Sequence, residues 1–257
     1  MLWLESDLKT LLTHPSLKLK LLIACIGGGL LPFAMAPYSF WPVSILGLVL
    51  IGLSLRNTSA SQAVAIGFAS GLALFGVGVN WVYVAIAQFG GSSSTVALTL
   101  TILFITGLAA VFAAPFYFYG RFLSRHLMGQ TLGFAALWVL GEWIRSWFLG
   151  GFPWLFLGDA HIDTALAGFA PIFGVYGISL IMALSATVII DWQWKAHYKS
   201  GLALIVAPWL LGPLLNQINW TQAVENAEIN VVAIQGNISQ ERKWLSEEIL
   251  KSLCKKL

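Results

Sequence analysis

From Leu21 to Asn216 apolar residues run almost without interruption, broken at short intervals by a few polar or charged positions. A membrane helix needs roughly 20 apolar residues, or about 17 at the short end. On that measure the pattern predicts seven spans: 21–36, 41–55, 63–87, 95–119, 131–148, 167–190 and 201–215. The first two and the last are short, and span by tilting less or by borrowing flanking residues.

The basic residues fall on alternate breaks. Lys9, Lys18 and Lys20 precede the first span, Arg56 follows the second, Arg121 and Arg125 follow the fourth, and Lys195 and Lys199 follow the sixth. The other set of breaks holds only Arg145, at the end of the fifth. Short loops rich in Lys and Arg stay cytoplasmic. The N-terminus is therefore expected inside and the segment after Leu215 outside. Ala34-Met35-Ala36 after a basic, apolar start resembles a signal-peptide cleavage site. Pro37 and the further spans that follow favour retention of the segment.

Composition agrees with the pattern: 58% of residues are hydrophobic, 10% are charged, and the mean hydropathy is +0.81. These values exceed what a soluble core needs and define an integral membrane protein. The net charge of +3 reflects the inside-positive bias, since no basic stripe with interleaved aromatics suggests nucleic-acid binding. Cys25, within the first span, and Cys254, near the C-terminus, should lie too far apart to bridge. No cofactor is implied.

Polar residues needing explanation flank the fifth and sixth spans. Glu142 and Arg145 share one helical face and can pair. Either they face a cavity as a functional site or they pin the helix against its neighbours near the interface. Gly150-Gly151-Phe152-Pro153-Trp154 breaks the helix. Asp159, His161 and Asp163 then alternate along an irregular stretch. This spacing suits a metal in principle, but no fourth ligand is evident and a hydrogen-bonded loop is expected, with no metal site. Trp143 and Trp147 share one face of the fifth span, and Trp138 shares the face of Glu142. Whether either face meets lipid or lines an acyl groove stays open.

After Leu215 the character changes. Residues 228–235 read as a buried β-strand, Gly236-Asn237 as a turn, and 239–257 as a helix with Leu250, Leu253 and Leu257 at helical spacing. One strand and one helix cannot bury an apolar strand. The expected architecture is an all-α polytopic membrane bundle of about seven transmembrane helices over 1–216. Residues 217–257 then form a linker and the truncated start of an external α/β domain.

Several motifs, in order, resemble the bacterial apolipoprotein N-acyltransferase family: Phe33-Ala-Met-Ala-Pro37 with Phe40-Trp-Pro42, Asn80-Trp-Val-Tyr83 with Phe89-Gly-Gly91, Leu137-Trp-Val-Leu-Gly-Glu-Trp-Ile-Arg145, Gly151-Phe-Pro-Trp-Leu155, and 166–177. Gln235-Gly-Asn-Ile238 with Lys243-Trp244 is similar to the opening of that family's nitrilase-like domain. The resemblance implies an inner-membrane enzyme that moves an acyl chain from a phospholipid to the N-terminal cysteine of a diacylated lipoprotein, through an enzyme thioester. It implies a Glu base, a Lys that stabilises the oxyanion and a Cys nucleophile, all expected beyond Leu257, so that residues 1–257 alone are expected to be inactive. Cys254 has no oriented base beside it to activate it. Trp244 matches a family position near the lipid entry, and with Glu142 and Arg145 completes the expected substrate-binding set. Asp159 departs from the family, which more often has an aromatic residue there. The alternative is a non-catalytic membrane protein, a transporter or a scaffold recruiting a soluble partner. A transporter would need polar residues at mid-membrane on several helices and usually an internal repeat.

Overall fold

A computed structural model describes residues 15–125, 129–190, 198–221, 231–233 and 235. Seven long helices account for most of them: α1 (Leu17–Leu30), α2 (Pro42–Ser54), α3 (Ala60–Gly78), α4 (Ser94–Phe118), α5 (Phe134–Trp147), α6 (Ala170–Ile190) and α7 (Tyr198–Leu215). Their starts are written locally. Ser16 and Ser93 accept hydrogen bonds from Leu19 N–H and Val96 N–H, each at 3.4 Å. Ser59 and Gln62 form a reciprocal capping box, and Pro42 stands where a helix start tolerates proline.

The predicted spans map onto these helices, with one break. The stretch 63–87 does not form a single helix: α3 stops at Gly78, and a separate turn (Trp81–Val84) and a wider turn (Ala85–Phe89) follow. Val79 leaves helical geometry, with φ −122°. Apolar composition continues across the break, so hydropathy alone does not register it. Helix α6 is kinked at Gly174, whose φ is 63°.

Among the described residues, four helical stretches are long and apolar enough to cross a membrane: Leu17–Ala34, Ala60–Gly78, Ser94–Leu123 and Ala165–Ile190. Pro42–Ser54 and Gly201–Leu215 are shorter apolar helices, and α5 has 14 residues, a rise of about 21 Å.

Neighbour by neighbour, α1, α3, α4, α5, α6 and α2 close into a ring, and α7 packs outside it against α6 and the turn Ala165–Phe169. Close approach is made by small residues, as lipid-embedded helices require. A Cβ on Gly27 would lie 2.7 Å from Gly47 O, and one on Gly28 would strike the Ser70 backbone. Phe75, Phe112, Phe134, Trp138 and Met182 fill the interior. The outer wall is apolar too: Leu22, Ile26, Leu98, Ile102 and Leu103 are all exposed. So continuous an apolar exterior fits a lipid solvent.

The ring has two unlike ends. At one, Lys20 Nζ donates to Arg56 O at 2.6 Å, Arg56 Nη2 to Ile190 O at 2.9 Å, and Ser124 Oγ to Thr58 O at 3.1 Å. The start of α1, the α2–α3 link and the ends of α4 and α6 thus meet at a basic end. The opposite end gathers Trp41, the 148–165 segment and Trp209.

No strand occurs among the described residues. Of the expected strand at 228–235, residues 231–233 and 235 carry no regular structure and Val231 and Val232 are exposed. They find no ladder partner there, and an unpaired strand has no stability of its own. Its other residues, the turn, the terminal helix, Trp244 and Cys254 lie outside the described residues. Cys25 is a free thiol, 3.5 Å from Ala69 O.

Candidate functional site

The 148–161 segment makes the site, and its depth sets the problem it must solve. Phe104 packs edge-on against Phe152 at 5.1 Å, so the segment meets α4 ten residues beyond Ser94, about 15 Å along the helix axis. Irregular backbone flanked by apolar helices must have its N–H and C=O groups satisfied by protein.

Its backbone is strongly bent. Leu149, Gly150, Gly151 and Leu155 all have positive φ, and a Cβ on Gly151 would strike Ser146 O. Only glycine fits so tight a reversal.

Two buried charges of α5 satisfy this bent chain. Arg145 is 3% exposed and donates to the carbonyls of Phe152 (3.1 Å), Trp154 and Leu155 (3.4 Å). Phe152 N–H returns a bond to Arg145 O at 2.8 Å. The guanidinium also faces the Phe156 and Phe75 rings, 4.7 and 5.3 Å from their centroids. Glu142 is 2% exposed, and its Oε1 accepts from Trp138 Nε1 at 3.0 Å and Leu157 N–H at 2.7 Å. Ser179 of α6 accepts from Gly158 N–H at 2.9 Å beside the carboxylate.

The two charges attract one another across their shared face, as the spacing leads one to expect, while the hydrogen bonds of both side chains run to the loop. Helical spacing brings them near, yet the loop offers each a closer set of partners. One atom of each, Glu142 Oε2 and Arg145 Nε, is buried with no hydrogen bond.

The neighbouring Asp159-x-His161-x-Asp163 run is a set of loop contacts. Asp159 Oδ2 accepts from Phe156 N–H at 3.3 Å and closes a turn. His161 is fully buried between Ser44 Oγ and Thr164 Oγ1, each 3.4 Å from a ring nitrogen, with the Trp41 and Trp209 rings each centred 6.0 Å away. Burial pushes its pKa down to about 4, so the imidazole is neutral near pH 7. Asp163 is exposed. Among the described residues no group of three or more His, Cys, Asp or Glu is placed to hold a metal.

The tryptophans of α5 separate by face. Trp138 is buried on the charged face, whereas Trp143 and Trp147 are exposed and stack edge-on at 5.3 Å. A cavity of about 260 Å³ lies between α4 and the end of α5, with Arg145 in its wall. Sequence reasoning missed this cavity and the contact partners of both charges, because neither leaves a periodic signal. Trp244, the remaining expected substrate-binding residue, lies outside the described residues.

Comparison with known proteins places this geometry. The profile of the apolipoprotein N-acyltransferase N-terminal domain matches residues 27–188. The chain is similar to an apolipoprotein N-acyltransferase of Pseudomonas syringae pv. tomato, 40% identical over 239 residues, which are 91% of this chain and 47% of the relative. It is likewise similar to the proteins of that name from Pseudomonas aeruginosa strain LESB58 (39% identical; 90% of this chain, 46% of the relative) and Coxiella burnetii (36%; 90% and 48%). The chain spans about half the length of the curated relatives it matches. With the profile covering most of the ring of helices and the relatives agreeing along nearly the whole chain, it belongs to the apolipoprotein N-acyltransferase family.

Proposed function

We propose that residues 1–257 form the membrane half of an apolipoprotein N-acyltransferase of the bacterial inner membrane. In this reading seven crossings place the basic end in the cytoplasm and residues 217–257 outside, as the start of a nitrilase-like domain. What supports the orientation is the gathering of Lys20 and Arg56 with the ends of α4 and α6 at one end of the ring.

The donor is a membrane phospholipid and the acceptor a diacylated lipoprotein. The Glu, Lys and Cys that the resemblance implies belong to the half of the relatives that residues 1–257 do not cover. There the base takes the thiol proton, the thiolate attacks the phospholipid ester, and lysophospholipid leaves. The amine of the lipoprotein's N-terminal cysteine then attacks the thioester and releases the enzyme thiol. The Lys stabilises the oxyanion in both steps. Residues 1–257 contribute a lipid-embedded platform. Arg145 and Glu142 hold the floor of that platform in one shape, and Trp244 is the external lipid contact.

The single observation behind this reading is the match to the family along nearly all of this chain but only 47% of the Pseudomonas syringae relative. The test reconstitutes residues 1–257 in phospholipid vesicles with a diacylated lipopeptide and reads N-acylation by mass spectrometry. No product is expected from these residues alone, and product is expected when the second half of the Pseudomonas syringae relative is added. Acylation by residues 1–257 alone refutes the division of labour, and none in the joined form refutes the function.

A further inference from the structure

We propose that the basic end of the ring docks an anionic phospholipid of the adjoining leaflet, with its phosphate on Arg121 and an acyl chain against Phe118 and Phe122. The site lies at the end opposite the 148–165 segment, so this lipid is a retained partner and not the acyl donor. The inference goes beyond the function proposed above and shares with it only the placement in a membrane.

Charge is divided between the two ends of the ring. Among the described residues the carboxylates are Glu142, Asp159 and Asp163, and all three lie in or against the 148–165 segment. The basic end holds Lys18, Lys20, Arg56, Arg121 and Arg125, with no described carboxylate among them. The link from α6 to α7 adds Lys195 and Lys199 in sequence against Asp191 alone. Lys20 and Arg56 donate to backbone carbonyls, which take a hydrogen bond but leave the positive charge in place. Lys18, Arg121 and Arg125 are exposed. Cations gathered in this way at the edge of a bilayer attract anionic headgroups.

Arg121 gives that field a definite place. Helix α4 runs on from Phe118 into a wide turn, Tyr119–Leu123, closed by Ser124 N–H on Tyr119 O at 2.8 Å. The guanidinium carbon of Arg121 stands 5.1 Å over the Phe122 ring centroid. Phe122 in turn stacks on Phe118, 6.5 Å between centroids with the planes 19° apart. Phe118 and Phe122 are 53% and 57% exposed. The surface is a step, with two bare rings below and a cation above. Gly120 brings the start of α3 against the same turn, since a Cβ there would lie 2.7 Å from Ala60 Cα. At that start the exposed hydroxyls of Ser59 and Ser61, 3.1 Å apart, offer further hydrogen bonds.

A phospholipid answers both levels of the step at once. Its phosphate accepts charge-assisted hydrogen bonds from the guanidinium, whose planar fork suits two oxygens of one group. Deeper in the bilayer, its acyl chain covers the two rings. A soluble acidic partner would meet Arg121 and leave the rings uncovered. Net charge then selects among lipids: phosphatidylglycerol brings an anion to a field of cations, whereas the ammonium of phosphatidylethanolamine is repelled there.

The test labels the step directly and needs no catalysis. Residues 1–257 are reconstituted in phosphatidylcholine vesicles with a tracer of phosphatidylglycerol or of phosphatidylethanolamine, matched in chain and each carrying a diazirine close to the ester. After irradiation, peptides spanning 117–125 are quantified by mass spectrometry. Phosphatidylglycerol is expected to label them about fivefold more than phosphatidylethanolamine. Arg121→Gln should remove about fivefold of that label, the effect of one cation at an anionic surface, and Arg121→Lys should lose less. Labelling at Phe173 and Leu211, in a separate groove between α6 and α7, should persist in every variant and reports that each is folded and inserted. Equal labelling of 117–125 by the two lipids overturns the proposal. So does an equal fall in Arg121→Gln and Arg125→Gln, which would reduce the site to diffuse charge, and so does loss of the label on adding glycerol phosphate, which would make a free phosphate the ligand. Labelling is read without turnover, so failed acyl transfer in the joined enzyme tells against the broader function and not against this site.

Discussion

Replacing Arg145 with Leu removes the donor that serves three loop carbonyls, those of Phe152, Trp154 and Leu155. A hydrogen bond from a charged donor contributes about 1.5–3 kcal/mol, so three bonds set a gross loss of ~5 kcal/mol or more. Removing a buried cation recovers part of its desolvation cost, which is several kcal/mol. The rings of Phe75 and Phe156 lose cation–π contacts of about 1 kcal/mol each. The net expectation is a loss of about 3–5 kcal/mol, the range seen when one member of a buried charged set is deleted. Arg145→Lys keeps the charge but lacks the planar fork and should retain about half. Glu142→Gln separates the two accounts of this pair. Its amide oxygen still accepts from Trp138 and Leu157, so if each charge serves the loop, the loss stays near ~1 kcal/mol. If the charges chiefly serve each other, it approaches that of Arg145→Leu. Reversible unfolding in bicelles measures all three. An Arg145→Leu protein within about 0.5 kcal/mol of wild type would refute the reasoning, since that is the scatter of substitutions remote from such features.

Two further outcomes follow from the packing. Gly28→Val must push α1 away from the Ser70 backbone and should cost about 1–3 kcal/mol, whereas Gly29→Val, with its nearest neighbours 3.9 Å away, should cost little; thermal denaturation in detergent compares them. His161 has a folded pKa of about 4 against an ordinary 6.5, so the unfolded chain binds more protons between those values. Stability is then full above pH 6.5 and falls as pH drops towards 4, by no more than about 3 kcal/mol. His161→Phe should abolish that slope, and an unchanged slope would move the titration to another group.

Much of the scaffold was legible because lipid imposes a simple rule on composition. The stretches 41–55 and 95–119 match α2 and α4 within a residue at each end. Hydropathy failed where two helical pieces are apolar on both sides of a break, as at Val79. The site was half legible. Gly150, Gly151 and Pro153 announced the bend, and spacing put Glu142 beside Arg145. Their partners are loop amides and carbonyls seven to fifteen residues away, chosen by a fold that no local pattern encodes. The enclosure of His161 by Trp41 and Trp209 joins residues from three distant stretches and had no signal at all.

The dependence of α5 on its own loop bears on biogenesis. A charged residue opposes translocon-mediated insertion by about 2.5–3.5 kcal/mol at a helix centre and by less towards its ends, and α5 carries two in its C-terminal half. Alone it is a poor candidate to partition into lipid. It should enter late or together with α4 and α6, once the chain emerging behind it has folded back to quench both charges. A ribosome stalled before Leu157 should therefore leave this helix uncommitted to the bilayer.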